Sequence, residues 1–466
     1  MLSRPDVIEL RPIPDPWDVA QRLADLPKLL FFDSASGAPS LSRYSYVAAD
    51  PIAWLTSRGP QVRFNDHEEA ISPFRVIIRE LQNRRLDALP GLPPFQGGAA
   101  GLFGYDLCHW LERLPRLKID EFQTLDAAIG FYDWVAAWDH WQQKAWLIGP
   151  QTRIHRVQQI LSGSRSNRLN AVEPIGVQPT PSLHFPLASQ PGVFSNFTRH
   201  GFETTIRRAI EYIHAGDCFQ VNLAQRLLAK ATEPALVQYD RLRKVNPAPF
   251  GGYFDLGDFQ ILSASPERFL QVSPNGDVET RPIKGTRPRG ATPMEDQTIR
   301  HELAASAKDR AENVMIVDLL RNDLGRVCEF GSVHAPVVCE LETYATVHHL
   351  VSEVRGRLRA GATAIDLLEA AFPGGSVTGA PKIRAMQIIA ELEPTARGPY
   401  CGCLGWLGWD GAMDTNILIR TFTRSGGWLQ FQVGGGIVAD SNPAVEYEET
   451  LHKAQGLLRA IEAGAK

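Results

Sequence analysis

The stretch ERFLQVSPNGDVETRPIKG, residues 267–285, decides how the fold is read. Two strand-like runs, ERFLQV and VETRPIKG, flank Pro274-Asn275-Gly276-Asp277, and Asn-Gly between such runs is a strong short-range hairpin signal. FQILSA (259–264) supplies a further strand just upstream. Outward from there, Thr292-Pro293-Met294-Glu295 is a capping box with proline at the first helical position, opening a helix that carries SAKDRAENVMIVDLL. Asn442-Pro443 opens another through EYEETLHKAQGLLRAIE. Nearer the start, 28–32, 99–103 and 128–138 read as strands among turn residues. Residues 163–196, rich in Ser, Pro, Gly and Asn, read as a linker between a region 1–162 and a region 197–466. The expected class is α/β or α+β with several sheets.

The chain has 466 residues, 44% hydrophobic and 21% charged, which is ample for a large core. A net charge of -4 gives no general attraction to nucleic acid or anionic membranes, so any anion site must be local. The cluster Arg281, Arg287 and Arg289 lacks the interleaved aromatics of a nucleic-acid surface. The start lacks the apolar core of a secretory signal and no run reaches the ~20 apolar residues of a membrane span, so a soluble, cytoplasmic protein is expected. Six scattered cysteines show no CxxC or His/Cys spacing, which indicates neither disulfides nor zinc. Gly402-Cys403-Leu404-Gly405 resembles a glutaminase nucleophile turn, but no plausible His/Glu pair follows it, and its glycines suit a tightly packed strand equally well.

A two-residue turn at Asn275-Gly276 sets Glu267 opposite Lys284 on one face of the hairpin, with Cβ atoms roughly 5 Å apart. An ordinary cross-strand ion pair would look the same. A nucleophilic lysine must be neutral, and here burial and the arginines lower its pKa while the carboxylate raises it. Sequence leaves that balance open. A carboxyl beside a nucleophile is also a sensible general acid.

Glu446, Glu449 and Lys453 share one helix face, and Asp309 and Glu312 share another. Either pair alone is usually a solvated face, but oxygen ligands from two helices suit Mg²⁺ with an anionic substrate. The loop PGGSVTGAP (373–381), bearing Ser376 and Thr378 and running into the helix KIRAMQIIAELE, could cradle an anion. Gly434, Gly435 and Gly436 could let backbone approach a ligand.

SASPERFL, RPIKGT, AENVMIVDLLRNDLGRV, HHLVSEVRG, PGGSVTGAPK, DTNILIRTF and VGGGIVADSNPAVEYEETLHKA together resemble the chorismate-utilising enzymes. The resemblance is specific over about 200–457 and looser before 190. It implies a single α/β body, with large antiparallel sheets surrounded by helices and built jointly by both ends of the chain. It also implies Mg²⁺ held by Glu312 and Glu449, with Asp309, where the family usually has Glu, and Glu446 beside them acting through water. His349 matches the family histidine near the ring. Ser376 and Thr378 lie in the matching hydroxyl loop, with Thr286 in the RPIKGT motif. Tyr400, Arg420, Gly434, Gly435, Gly436 and Lys453 match positions that grip substrate carboxylates. Ser34, Tyr44, Pro249 and Phe250, with Asp33, lie where related subunits form a tryptophan pocket.

Two positions separate the family's branches. Gln220 stands where the water-using members resemble one another in having a lysine base, so ammonia is the implied nucleophile. Lys284 in PIKGT is similar to the branch that makes 4-amino-4-deoxychorismate on the route to 4-aminobenzoate and folate; anthranilate-forming members resemble PIAGT instead. The implied chemistry is covalent, with Lys284 as nucleophile, Glu267 as general acid and ammonia from a separate glutamine amidotransferase subunit. Anthranilate formation for tryptophan synthesis, or a catalytically silent regulatory subunit, are the alternative readings.

Overall fold

The computed structural model describes residues 4–35, 41–117, 119–163, 180–344 and 347–462. Among these residues, antiparallel sheets of 13 and 12 strands share a core in which Leu30, Val135 and Phe254 of the first meet Ala100, Leu102, Leu404 and Trp406 of the second. At alternate positions, Ala99 and Phe103 face a separate cluster with the helical residues Phe74, Ile316 and Leu368. A strand covered on both faces explains why GAAGLF (98–103) carries no polar side chain.

Both halves of the chain build both sheets. Leu30–Asp33 pairs with Phe250–Asp255 in the larger, Phe32 facing Gly252, and Gly98–Phe103 pairs with Cys403–Gly408 in the other, Ala100 facing Trp406. Within the expected linker, residues 164–179 lie outside the described residues, while Phe185–Pro186 and Val193–Ser195 continue the larger sheet beyond Gln220–Lys230. The apolar run 128–138 is two strands, Ala127–Tyr132 and Val135–Asp139, one in each sheet.

The hairpin forms, but its turn is longer than the Asn-Gly signal suggested. Gln271 faces Glu279 and Val272 faces Val278, while Ser273 N–H donates to Asp277 O at 2.8 Å. Pro274, Asn275 and Gly276 thus form a three-residue turn with Gly276 at φ +82°. The register moves by one, so Glu267 and Lys284 are not direct cross-strand partners. The second strand also breaks at Arg281-Pro282, since proline has no N–H for the ladder. Asp277–Thr280 and Ile283–Pro288 then run in succession along Val347–Arg357.

The helix expected from Pro293 is two helices, Pro293–Ala305 and Ala307–Gly325. Ser306 leaves helical geometry at ψ 105° and caps the second, its hydroxyl accepting from Asp309 N–H at 3.3 Å. Pro443–Glu462 forms as expected, with Asn442 Oδ1 accepting from the N–H groups of Ala444 and Val445. All six cysteines are free and buried, Cys403 in a central strand. No helix among the described residues is long and apolar enough to cross a membrane.

Candidate active site

Lys284 sits beside a bulge. It faces Leu350, whereas Thr286 faces His349, and the extra residue between them is Gly285 at φ +79°. A Cβ at Gly285 would stand 3.0 Å from the Asp309 side chain, so glycine lets the 307–325 helix close onto this strand. Asn313 fixes that helix, donating to Leu350 O at 3.3 Å and accepting from the Ser352 hydroxyl. Its neighbour Glu312 is the strongest charged influence on the Lys284 amine.

Burial lowers the Lys284 pKa; Glu312, Glu267 and Glu449 raise it, Lys453 lowers it, and the net shift is downward. The balance that sequence left open therefore tilts toward the neutral, nucleophilic amine. Glu267 goes the other way. Only 5% exposed, it is pushed up to about 7 by burial, against the Ser376 hydroxyl, which donates to Oε1 at 2.9 Å, Lys284, and the Ile283 N–H. The pair predicted by a wrong register thus meets through the Ile283 backbone.

Three carboxylates converge from two helices. Ser441 donates to buried Glu446 at 2.7 Å, while Lys453 pairs with Glu449 at 2.7 Å and donates to Gly434 O at 2.9 Å. A Cβ on Gly435 would lie 3.2 Å from Glu446 Oε2, so the glycine strand runs directly beneath that helix face. Burial raises Glu312 and Glu446, and the Glu449 charge adds to both shifts. Burial also raises Glu449, but Lys453, Lys308 and Lys284 outweigh it and hold this carboxyl below its ordinary value. Asp309 is engaged by Arg287 at 3.0 Å. Among the described residues no three His, Cys, Asp or Glu side chains stand close enough to hold a metal by themselves.

His349 is buried, its Nδ1 2.8 Å from Thr286 Oγ1, and burial, Arg420 and His348 lower its pKa to about 3, so it is a neutral imidazole. Arg420, at φ +51°, has its pKa lowered by burial alone, and its guanidinium has no carboxylate partner among the described residues. Thr378 donates to Gly374 O at 3.0 Å and Tyr400 packs 5.6 Å from the Arg397 guanidinium. Gln220 is fully buried with both amide atoms unpartnered.

Sequence reading passed over Lys308, 4.0 Å from Glu446. Its spacing of four from Glu312 was the available signal. The buried Glu393–Arg397 pair was missed as well: it too is spaced by four, but it lies past the end of the 382–392 helix, where that spacing predicts no contact. Away from this cluster, Asp33, Ser34, Tyr44, Pro249 and Phe250 line one cavity of about 360 Å³ with Trp406 and Arg281.

Residues 31–459 match the family described as chorismate binding enzyme, and the chain belongs to that family. It is a chorismate-utilising enzyme with the anthranilate synthase component I-like fold. Aminodeoxychorismate synthase component 1 of Salmonella typhimurium is 43% identical to it over 94% of each chain. Anthranilate synthase component 1 of Thermus thermophilus is 43% identical over 84% of this chain and 83% of that protein. The crystal structure of anthranilate synthase component I from Streptococcus pneumoniae TIGR4 superposes with a TM-score of 0.75, at 32% identity over 89% of this chain and 92% of that one.

Proposed function

We propose that this chain is the chorismate-aminating component of an aminodeoxychorismate synthase. Overall identity does not separate it from anthranilate synthases, since both kinds of relative reach 43%. The reading is carried by Lys284 and Glu267, a lysine driven toward its neutral form beside a carboxyl driven toward its protonated form.

The Lys284 nitrogen bonds to C2 of chorismate, both ring double bonds shift by one position (C1=C2 to C1=C6 and C5=C6 to C4=C5), and the C4–O bond breaks as Glu267 gives its proton to the departing hydroxyl, which leaves as water. Ammonia then bonds to C4, both double bonds return to C5=C6 and C1=C2, and the C2–N bond breaks to restore the neutral lysine. The new C4 ammonium passes a proton to Glu267, which resets the acid. Two displacements replace one difficult allylic substitution. Pyruvate stays attached, and the product is 4-amino-4-deoxychorismate.

Arg420 and Lys453 are the cations suited to the substrate carboxylates. Glu312 and Glu449, with Asp309 and Glu446 beside them, would hold Mg²⁺. Their mutual repulsion and hard oxygens fit such an ion, which takes one or two protein carboxylates and completes its shell with substrate and water. When bound it would neutralise the ring carboxylate. A separate glutamine amidotransferase subunit would supply ammonia; burial of all six cysteines leaves this chain without an accessible glutaminase nucleophile among the described residues. The 360 Å³ cavity, with aromatic and charged walls, is the site we assign to tryptophan.

The test is turnover of chorismate with Mg²⁺ and ammonium at mildly alkaline pH, with products followed by mass and fluorescence. Aminodeoxychorismate without pyruvate, lost in Lys284→Ala, is the expected result. Fluorescent anthranilate with pyruvate would assign the chain to tryptophan synthesis instead.

A further inference from the structure

Ser376 holds the general acid, but its loop, residues 373–381, contains three glycines and has little intrinsic order. Its order must come from outside. At its far end Lys382 pairs with Asp323 at 2.7 Å and also donates to Ala371 O. Next to Ser376, Val377 O accepts from Arg397 Nη1 at 3.0 Å and from Asn222 Nδ2 at 3.1 Å.

Arg397 has no solvent exposure at its side chain. It is forked onto Glu393 at 2.6 and 2.9 Å and donates to Asn222 O at 2.9 Å. Glu393 in turn accepts from Ala224 N–H at 2.9 Å, and the Tyr105 ring lies 4.8 Å from the guanidinium. The loop pairs with the 220–230 strand through its backbone, Asn222 N–H donating to Thr378 O at 2.8 Å and Gly379 facing Val221, and the Arg397 cation adds a side-chain tie between the two right beside Ser376. A buried ion pair is a poor source of stability but a good device for fixing geometry. The hydrogen bonds of the Arg397 guanidinium go to Glu393, Val377 and Asn222, and none of them reaches Glu267.

We propose that Arg397, held by Glu393, is a positioning residue that sets the Ser376 hydroxyl against the Glu267 carboxyl. Glu267 faces that hydroxyl, the Lys284 amine, the Ile283 N–H and the Cys401 thiol, and Lys284 faces Glu312, Glu449 and Lys453. Of these, Arg397 reaches the Ser376 contact through Val377 and the Cys401 thiol directly, and a Ser376→Ala background separates the two routes. The functional meaning of this positioning role rests on the amination reading above, whereas its geometric content does not.

Difference infrared titration of the protein against Glu267→Gln reads the protonation midpoint of Glu267 directly. Ser376→Ala removes a hydrogen bond to the carboxylate and should raise that midpoint by about half to one pH unit. Arg397→Lys, which keeps the charge but loses the fork, should raise it similarly, and should add nothing in a Ser376→Ala background. Turnover in Arg397→Lys should fall about tenfold in kcat with KM for chorismate nearly unchanged. An unmoved midpoint in folded Arg397→Lys, or a shift fully additive with Ser376→Ala, overturns the proposal. If Arg397→Lys does not fold, Arg397→Met combined with Glu393→Gln, which removes the fork without leaving a buried unpaired charge, is held to the same criteria. A wild-type protein that fails to aminate chorismate rejects the functional reading, while the midpoint still decides the role of Arg397.

Discussion

The side-chain amide of Gln220 lies against Gly436, so close that a Cβ at 436 would stand 2.9 Å from it, and neither amide atom has a hydrogen-bond partner. A fully buried, unsatisfied amide costs about 1–3 kcal/mol and stands out in a fold whose buried polar groups are otherwise mostly paired. Gln220→Met keeps the volume and removes that cost. We expect it to be as stable as the wild type or about 1 kcal/mol more stable by urea denaturation, with much reduced amination. A clear loss of stability would mean the amide is satisfied within the free protein.

Glu267 gives the fold a pH dependence whose sign follows from its shift. An ordinary glutamate releases its proton near 4.5, whereas the folded protein holds this one to about 7. Between those values the native state binds the extra proton, so stability falls as pH rises through that window, by an order-of-magnitude ~3 kcal/mol. Denaturation of wild type and Glu267→Gln at pH 4, 6 and 8 checks it. The gap between the two curves should widen in favour of Glu267→Gln with rising pH and level off above about pH 8.

How much of this was legible beforehand depended on whether the signal was local. The helix opening at Asn442 and the shared face of Glu446, Glu449 and Lys453 follow from caps and a period near 3.6, and both are present. The hairpin was legible but its register was not, because Asn-Gly fits a two-residue turn and a three-residue turn with glycine at the left-handed position equally well. Ser306 splits one apolar-periodic run into two helices through its own capping bond, which hydrophobic period does not reveal. The least legible contact was Arg397 to Val377 and Asn222, which joins positions far apart in the chain.

Glu449 and Glu446 make separable contributions if Glu449 holds Mg²⁺ directly and Glu446 acts through water. Glu449 is the carboxyl already held ionised by Lys453, Lys308 and Lys284, so it is ready to bind a cation. Glu449→Gln should weaken Mg²⁺ binding, measured calorimetrically with chorismate present, by at least about tenfold. Glu446→Gln, whose carboxyl is engaged by Ser441, should weaken it less. Equal losses would move Glu446 into direct coordination.

Gly285 is the residue whose replacement tests the bulge itself. Any side chain there faces two penalties, a φ of +79° and a Cβ only 3.0 Å from Asp309. The first costs roughly 1–2 kcal/mol for a non-glycine residue, and the second adds to it unless the helix moves. Gly285→Ala should therefore destabilise the protein by more than the backbone strain alone. Pairing it with Asp309→Ala, which removes the Cγ and carboxylate atoms of that contact and leaves only Cβ, should recover part of the loss and leave the backbone part behind. Because the bulge sets Lys284 opposite Leu350 and Thr286 opposite His349, amination should fall in both variants even where stability is partly restored. Full activity in Gly285→Ala would show that the bulge does not aim Lys284, and the alignment of nucleophile and acid would then have to come from the carboxylate helices alone.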